Sequence, residues 1–381
     1  MPLSRGLLVR DRKVAMVNFK MPSEQEPADA ERHYEWRMRA VEKLTADRTY
    51  RREKLKGREE SIHRALQAYR DLLDRYSTIR LRAEFVALGN QRALPPALGG
   101  PEHEQPRDRS TQLEDDYRTR PPCTKLLMRK THALQSYLAM IFVAHAEGTA
   151  STARRANASR VRGAESWAVL CGRWAPTVRA RRARLARDLE ELHRADLVTI
   201  GASGAQARYE NFRLLADDLT DRAYTLPKDG PRTPLIMLPY NFFANGWHLA
   251  LSPAEVAVLL MVRHAERALP TSKEEPGVAL PRSTRWAVYG ISGEAYQAIH
   301  ALEEFGLLSI HDTMPHRRHG KLRPLPPALK AAVEADGDSA SPVPYRLESA
   351  PFKAFDRPAL EIIRETLRDH PVLPRLDTHE N

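Results

Sequence analysis

The 381-residue chain carries a formal net charge of +11 and a sequence pI of about 9.7, an excess that favours a polyanionic partner. Its length exceeds what one core usually serves, so two or three domains are expected. Two cysteines, Cys123 and Cys171, exclude a disulfide framework or a cysteine-built zinc site.

Residues 1–28 form an N-terminal arm in which Arg5, Arg10, Arg12 and Lys13 interrupt the apolar runs. Those runs are too short for a secretory leader. The longest apolar stretch elsewhere, Val256–Val262, falls far short of a membrane span. A cytoplasmic, nucleoid-associated protein with no membrane partner is expected. Residues 29–88 lack proline, hold the single glycine Gly57 and read as helical. Leu55, Ile62, Leu66, Tyr69, Leu73 and Tyr76 fall on one helical stripe at heptad-like spacing. That stripe suits either a coiled coil pairing two copies through residues 55–76 or amphipathic helices packed on the chain's own core; Arg80 breaks it.

Residues 89–122 are dense in proline and glycine, from Gly89 and Pro95 to Pro121 and Pro122, and read as an exposed linker. A first globular domain is expected over 123–217, a second linker over 218–234 and a second domain over 235–350. In 351–381, Asp356 as N-cap and Pro358 as an early proline predict a closing helix that Pro371 ends.

Two segments inside these domains, Leu189–Ile200 and Ile299–Ile310, align without a gap. Each has apolar residues at helical spacing, a polar or glycine break, then a short β-prone run. This predicts a helix turning directly into a strand. Upstream of both stands a Trp-Ala-Val step, Trp167-Ala168-Val169 and Trp286-Ala287-Val288, and before it a long apolar helix, Leu134–Ala146 and Pro253–Ala265. Ser252 and Glu255 give the second of these helices a capping box. Each copy continues with a polar turn and a returning strand: Gly201–Ala207 then Arg208–Leu214, and, after a proline-rich insertion, Pro344–Leu347. The predicted fold class is mainly α with small β-wings, two tandem units behind an N-terminal helical region.

Three helices followed by a hairpin resembles the winged-helix order. The phrase HALEEFGLLSI is similar to the end of a winged-helix recognition helix entering its wing, and this resemblance covers about half the chain. The stretch LIMLPYNFFANGWHLALSPAEVAVLLM, followed by YGISGEAYQAIHALEEFGLLSI, resembles the DNA-binding domain of plasmid-type replication initiators. There, a strand with Leu-Pro precedes a Leu-Ser-capped helix, and a Gly-x-Ser turn precedes the recognition helix. The long N-terminal helical region and the interrupted second wing depart from that pattern. The resemblance implies two tandem winged-helix domains and sequence-specific binding of double-stranded DNA, at the replication origin of a plasmid or other mobile element. A transcriptional regulator fits the same pattern, and a scaffold using winged helices for protein contacts is the rival from another class.

In such a unit the last helix enters the major groove with its early residues facing base edges. In the first unit that helix is expected to start near Thr177, with Arg179, Arg181, Arg182, Arg184 and Arg187 crowding its first turns and no carboxylate before Asp188. A guanidinium there takes a phosphate, or guanine O6 and N7; the plainer alternative is a solvated arginine face. Arginine's large excess over lysine suits such contacts, although a GC-rich genome produces the same excess. In the second unit the helix begins near Ser292, and Glu294, Tyr296, Gln297 and His300 offer hydrogen-bonding groups. Gln297 suits adenine, so this unit is expected to be the more selective. The basic wing tip His316, Arg317, Arg318, His319 and Lys321, its counterpart Arg208, and Arg154, Arg155, Arg160 and Arg162 are expected to add sequence-neutral, salt-dependent affinity.

No Gly-x-x-x-x-Gly-Lys-Ser/Thr loop occurs and no His-hydrophobic-His pair stands near a tyrosine, so neither ATPase nor nicking chemistry is expected. Glu190-Glu191 and Glu303-Glu304 read as solvated helix surface rather than paired acids. Cys171 reads as core. His311, Asp312, His316 and His319 read as a wing tip rather than a metal cluster. A non-enzyme without cofactors is expected.

Overall fold

The computed structural model describes residues 6–10, 13–17, 42, 45–70, 72, 78–89, 117–129, 131–148, 166–205, 207–210, 212–218, 220–228, 235–269, 276–311, 317–318, 321–322 and 344–368. These residues are mainly helical, with small antiparallel sheets.

Strands β1 (Gly6–Arg10) and β2 (Lys13–Val17) form a hairpin. Helix α1 occupies 45–56, and α2 (Glu59–Arg70) follows the break at Gly57. Leu55, Ile62 and Tyr69 are buried in the chain's own core, and Leu66 packs against it. The described part of the stripe is therefore occupied within one chain; Leu73 and Tyr76 lie outside the described residues. The helical reading of 29–88 extends too far, because Thr78–Arg82 is a strand, β3. Ile79 and Leu81 are buried while their neighbours are not, and that period of two fits a pleat, not a helix.

Helix α3 (Ala133–Glu147) buries every residue except the last, and a helix apolar on all sides belongs inside a core. It stops at Gly148, whose φ of 69° is left-handed. Then come α4 (Trp167–Leu170), α5 (Val178–Arg194) and a hairpin of β4 (Val198–Thr199) and β5 (Arg213–Leu214). The returning strand is shorter than the expected Arg208–Leu214. Residues 207–210 form turns, with Arg208 and Tyr209 drawn to Glu190 on α5.

Strand β6 (Leu235–Pro239) pairs antiparallel with β3, Thr78 opposite Pro239 and Arg82 opposite Leu235. Helix α6 (Pro253–Ala268) opens on the expected capping box: the Glu255 N–H donates to Ser252 Oγ at 3.3 Å, and the Ser252 N–H donates to Glu255 Oε2 at 2.9 Å. Such a cap is worth about 1 kcal/mol. After β7 (Val278–Ala279) follow α7 (Arg282–Ala287), α8 (Gly293–Tyr296), α9 (Ala298–Glu304) and β8 (Leu308–His311). A short hairpin of β9 (Arg317–Arg318) and β10 (Lys321–Leu322) precedes β11 (Arg346–Ser349) and α10 (Ala359–Arg368). Strand β11 lies between β7 and β8, antiparallel to both. Asp356 does not cap α10: it accepts from Asn241 Nδ2 at 2.8 Å, and the Ala359 N–H donates instead to the Asn245 carbonyl at 2.9 Å.

The sequence repeat is matched in the backbone. The Leu197 N–H donates to the Leu192 carbonyl at 2.9 Å, and the Leu307 N–H to the Leu302 carbonyl at 2.8 Å. The Leu197 carbonyl accepts from Leu215 at 2.9 Å, and the Leu307 carbonyl from Ala350 at 3.0 Å. Between helix and strand, Asp196 and Gly306 take left-handed φ values of 60° and 70°. The Trp-Ala-Val steps correspond less closely: Trp167 opens α4, whereas Trp286 lies at the end of α7.

One hydrophobic core runs through both units, from Leu55 to Leu367. Segments that read as linkers join it. Arg120, Pro121 and Pro122 are buried, and Arg120 Nη1 donates to the Gly290 carbonyl at 2.6 Å. Tyr224 is buried, its hydroxyl 3.2 Å from His145 Nε2. Where the units meet, the Tyr69 hydroxyl donates to the Leu170 carbonyl at 2.5 Å and lies 3.0 Å from His248 Nε2. Burial holds the His248 imidazole far below its ordinary range, at about 3, and His145 at about 4.

Below the ordinary imidazole pKa of 6.5, the unfolded chain protonates these histidines while the folded chain does not. Stability is therefore expected to fall as pH drops from 6.5 towards 4. His248→Gln should flatten that slope in urea melts; an unchanged slope would contradict a neutral, buried His248. The left-handed turn has its own test. Gly306→Ala, with open space around a new Cβ, should lose about 1 kcal/mol through φ alone. Gly277→Ala should lose more, because at φ 73° its Cβ would stand 2.6 Å from the Leu347 carbonyl oxygen.

Candidate nucleic-acid interface

Helix α5 starts where the sequence places it. Thr177 is its N-cap, accepting from the Ala180 N–H at 3.2 Å. Leu185, Asp188, Leu189 and Leu192 are buried, and steps of three and four put them on one face. Asp188 is thus an inward residue. Its Oδ2 accepts from Ser136 Oγ of α3 at 2.7 Å and lies 2.9 Å from Arg173 Nε. Burial raises the pKa of this carboxyl, against the opposing pull of Arg173 and Ser136. Along the sequence, Asp188 is the first acid after the arginine run. Turned inward, it leaves that run uninterrupted on the outside.

Arg179, Arg182, Arg184 and Arg187 are exposed, and Arg181 is half-buried. Arg184 Nη1 donates to the Trp174 carbonyl at 2.8 Å. The next acids along α5 are both engaged. Glu190 accepts from Arg208 at 3.0 and 3.1 Å and from the Tyr209 hydroxyl at 2.6 Å, and these bonds, Tyr209 first, hold its pKa down. Glu191 accepts from Arg194 at 2.8 Å. Arg208 therefore faces α5 rather than extending from a wing.

In the second unit Ser292 is an N-cap, accepting from the Ala295 N–H at 3.2 Å. Tyr296 is buried, and the Arg285 guanidinium sits 3.5 Å from its ring centroid, so the phenol ring is a packing surface for a cation. Gln297, at the joint of α8 and α9, is exposed, as are Glu294 and His300. Partial desolvation lowers the His300 pKa, against the opposing pull of Glu303 and Glu304. Arg282, exposed at the start of α7, adds a cation to this unit that stands outside the expected recognition helix. On α1, Arg48 Nη2 donates to Glu304 at 2.8 Å and Arg51 pairs with Glu255 at 2.6 Å, its guanidinium 4.7 Å from the Phe305 ring centroid. These contacts clamp the far end of α9.

Arg317, Arg318 and Lys321 lie on the β9–β10 hairpin, Lys321 opposite Arg318; their side chains are outside the described residues. So are Arg154, Arg155, Arg160, Arg162, Asp312, His316 and His319. His311 lies 3.0 Å from Glu348, and Cys171 is buried.

Removing Asp188 should be costly in a way that removing its arginine neighbours is not. Asp188→Ala leaves Arg173 without its partner in the core and should lose about 3–5 kcal/mol. Arg179→Ala and Arg182→Ala should stay within about 0.5 kcal/mol of the parent. Urea denaturation separates these cases, and equal losses at all three positions would contradict the inward role of Asp188.

No helix among the described residues is long and apolar enough to cross a membrane. No protein-family model, curated protein or solved structure matches the chain.

Proposed function

We propose that the protein is a non-enzymatic, sequence-specific binder of double-stranded DNA built on two tandem winged-helix units. The observation that carries this reading is the outer surface of α5, where four arginines are exposed and Asp188 is turned away. The winged-helix reading of the second unit is supported by its order of helix, strand, three helical segments, strand, wing and strand, with β11 between β7 and β8. In this reading α5 and α8–α9 are the recognition helices.

The two units divide the work. Arg179, Arg182, Arg184 and Arg187 supply charge to phosphates and bidentate donors to guanine. Gln297 and His300 present hydrogen-bonding groups to base edges, and the β9–β10 hairpin follows the backbone. The setting we propose is the replication origin of a plasmid or other mobile element. Purified protein offered random and genomic duplexes, with sequencing of what it retains, tests this. Enrichment of a repeated motif beside an origin supports the initiator role, and a motif overlapping a promoter moves the reading to a regulator. An absence of duplex binding at low salt contradicts both.

Gln297→Ala should relax base preference at one position of the enriched motif by about 1–3 kcal/mol and leave binding to random duplex unchanged. An equal loss on every sequence would remove Gln297 from base readout.

A further inference from the structure

Arg285 on α7 is a half-buried cation without an acid. Its guanidinium carbon lies 3.5 Å from the ring centroid of Tyr296 on α8. Its Nε is buried and has no hydrogen-bond partner among the described residues. Other arginines withdrawn from solvent are anchored. Arg82 pairs with Asp217, Arg173 with Asp188 and Arg48 with Glu304, while Arg120 and Arg263 donate to the Gly290 and Ala350 carbonyls. Taking a cation from water without an oxygen acceptor is costly, and a ring face offsets only part of that cost.

The chain fixes this group firmly. The Ile291 N–H donates to the Arg285 carbonyl at 2.9 Å, which ties the end of α7 to the turn before α8. Ser292 caps α8, and Tyr296 is buried. Arg282 stands three residues before Arg285 on α7, on the same side of the helix and exposed. Burial lowers the Arg285 pKa; Tyr296 opposes that, Arg282 adds to it, and no carboxylate takes part. Glu294, exposed on α8, pairs with neither arginine. Gln297, the proposed base reader, follows Tyr296 directly.

We propose that Arg285 binds a backbone phosphate of the duplex beside the base that Gln297 reads, and that Tyr296 is its positioning residue. The inference rests on the DNA-binding reading of the second unit. A phosphate supplies the counter-charge that Arg285 lacks, and two of its oxygens match the guanidinium fork. Arg282 adds charge one turn away. A phosphate contact of this kind sets the register in which a neighbouring side chain meets its base edge. Tyr296 does not touch the duplex; its ring holds the residue that does.

The full chain and its variants, each first shown by melting to be folded, are titrated across a salt series. The probes are a random duplex pool and the most strongly retained genomic duplex. Arg285→Gln should reduce the slope of log affinity against log salt by about 0.9 on both. Arg285→Lys, which keeps the charge but not the fork, should restore the slope without the full affinity. Tyr296→Leu should weaken binding at least about threefold in the parent but add no loss in the Arg285→Gln background, because it acts through Arg285. Tyr296→Phe keeps the ring and should keep the affinity. An unchanged slope in folded Arg285→Gln overturns the proposal and leaves the DNA reading standing. A loss confined to the genomic duplex assigns Arg285 to a base and overturns the phosphate contact. Equal losses from Tyr296→Leu in both backgrounds remove its positioning role. A parent chain that binds no duplex removes the DNA reading and the proposal with it.

Discussion

The carboxylate of Asp188 is turned into the core, where Ser136 and Arg173 hold it, and the charge of the proposed interface follows from that orientation. Taking a carboxylate out of water costs several kcal/mol unless good partners compensate. Here the Ser136 hydroxyl, the Arg173 guanidinium and the backbone of His132 do so. Leu185, Leu189 and Leu192 share the buried face, so the rotation of α5 about its axis is set by apolar and polar contacts together. With that rotation, Arg179, Arg182, Arg184 and Arg187 face solvent. A turn of α5 large enough to expose Asp188 would bury arginines and strand Arg173.

The two units are held by one body of packing. The long helices α3 and α6 lie within a single core, and α2 contributes Ile62 and Tyr69 to it. Gln135 Nε2 of α3 donates to the Leu251 carbonyl just before α6 at 3.1 Å. Tyr69 reaches the Leu170 carbonyl of the first unit and His248 of the second. Arg82 adds a further tie, its N–H donating to the buried Asp217 at 2.7 Å while β3 pairs with β6. The N-terminal helical region is therefore part of the scaffold that positions α5 and α8–α9.

Local features were legible in the sequence because their causes lie within a few residues. The caps at Thr177, Ser252 and Ser292 each depend on a side chain three residues from its donor. The repeated helix-to-strand turn was legible for the same reason. What escaped depends on distant partners. Nothing near Asp188 names Ser136 or Arg173, although its place among Leu185, Leu189 and Leu192 does carry the inward face. The pairing of Thr78–Arg82 with Leu235–Pro239 joins segments far apart along the chain, and the short Ile79–Leu81 alternation is easily lost beside a long helical stripe. Tyr296 reads as a hydrogen-bonding group until Arg285 is seen over its ring. Arg208 reads as a wing cation until Glu190 is found beside it.

The central claim is that the arginine surface of α5 binds duplex phosphates, and the salt dependence of duplex affinity tests it most directly. The parent chain is compared with a variant carrying Arg179→Gln, Arg182→Gln and Arg187→Gln, after equal melting temperatures establish that both are folded. The expected result is a slope of log affinity against log salt that is smaller by roughly 0.9 for each phosphate the variant no longer neutralises. An unchanged slope in a folded variant would contradict the claim and leave α5 as a solvated face.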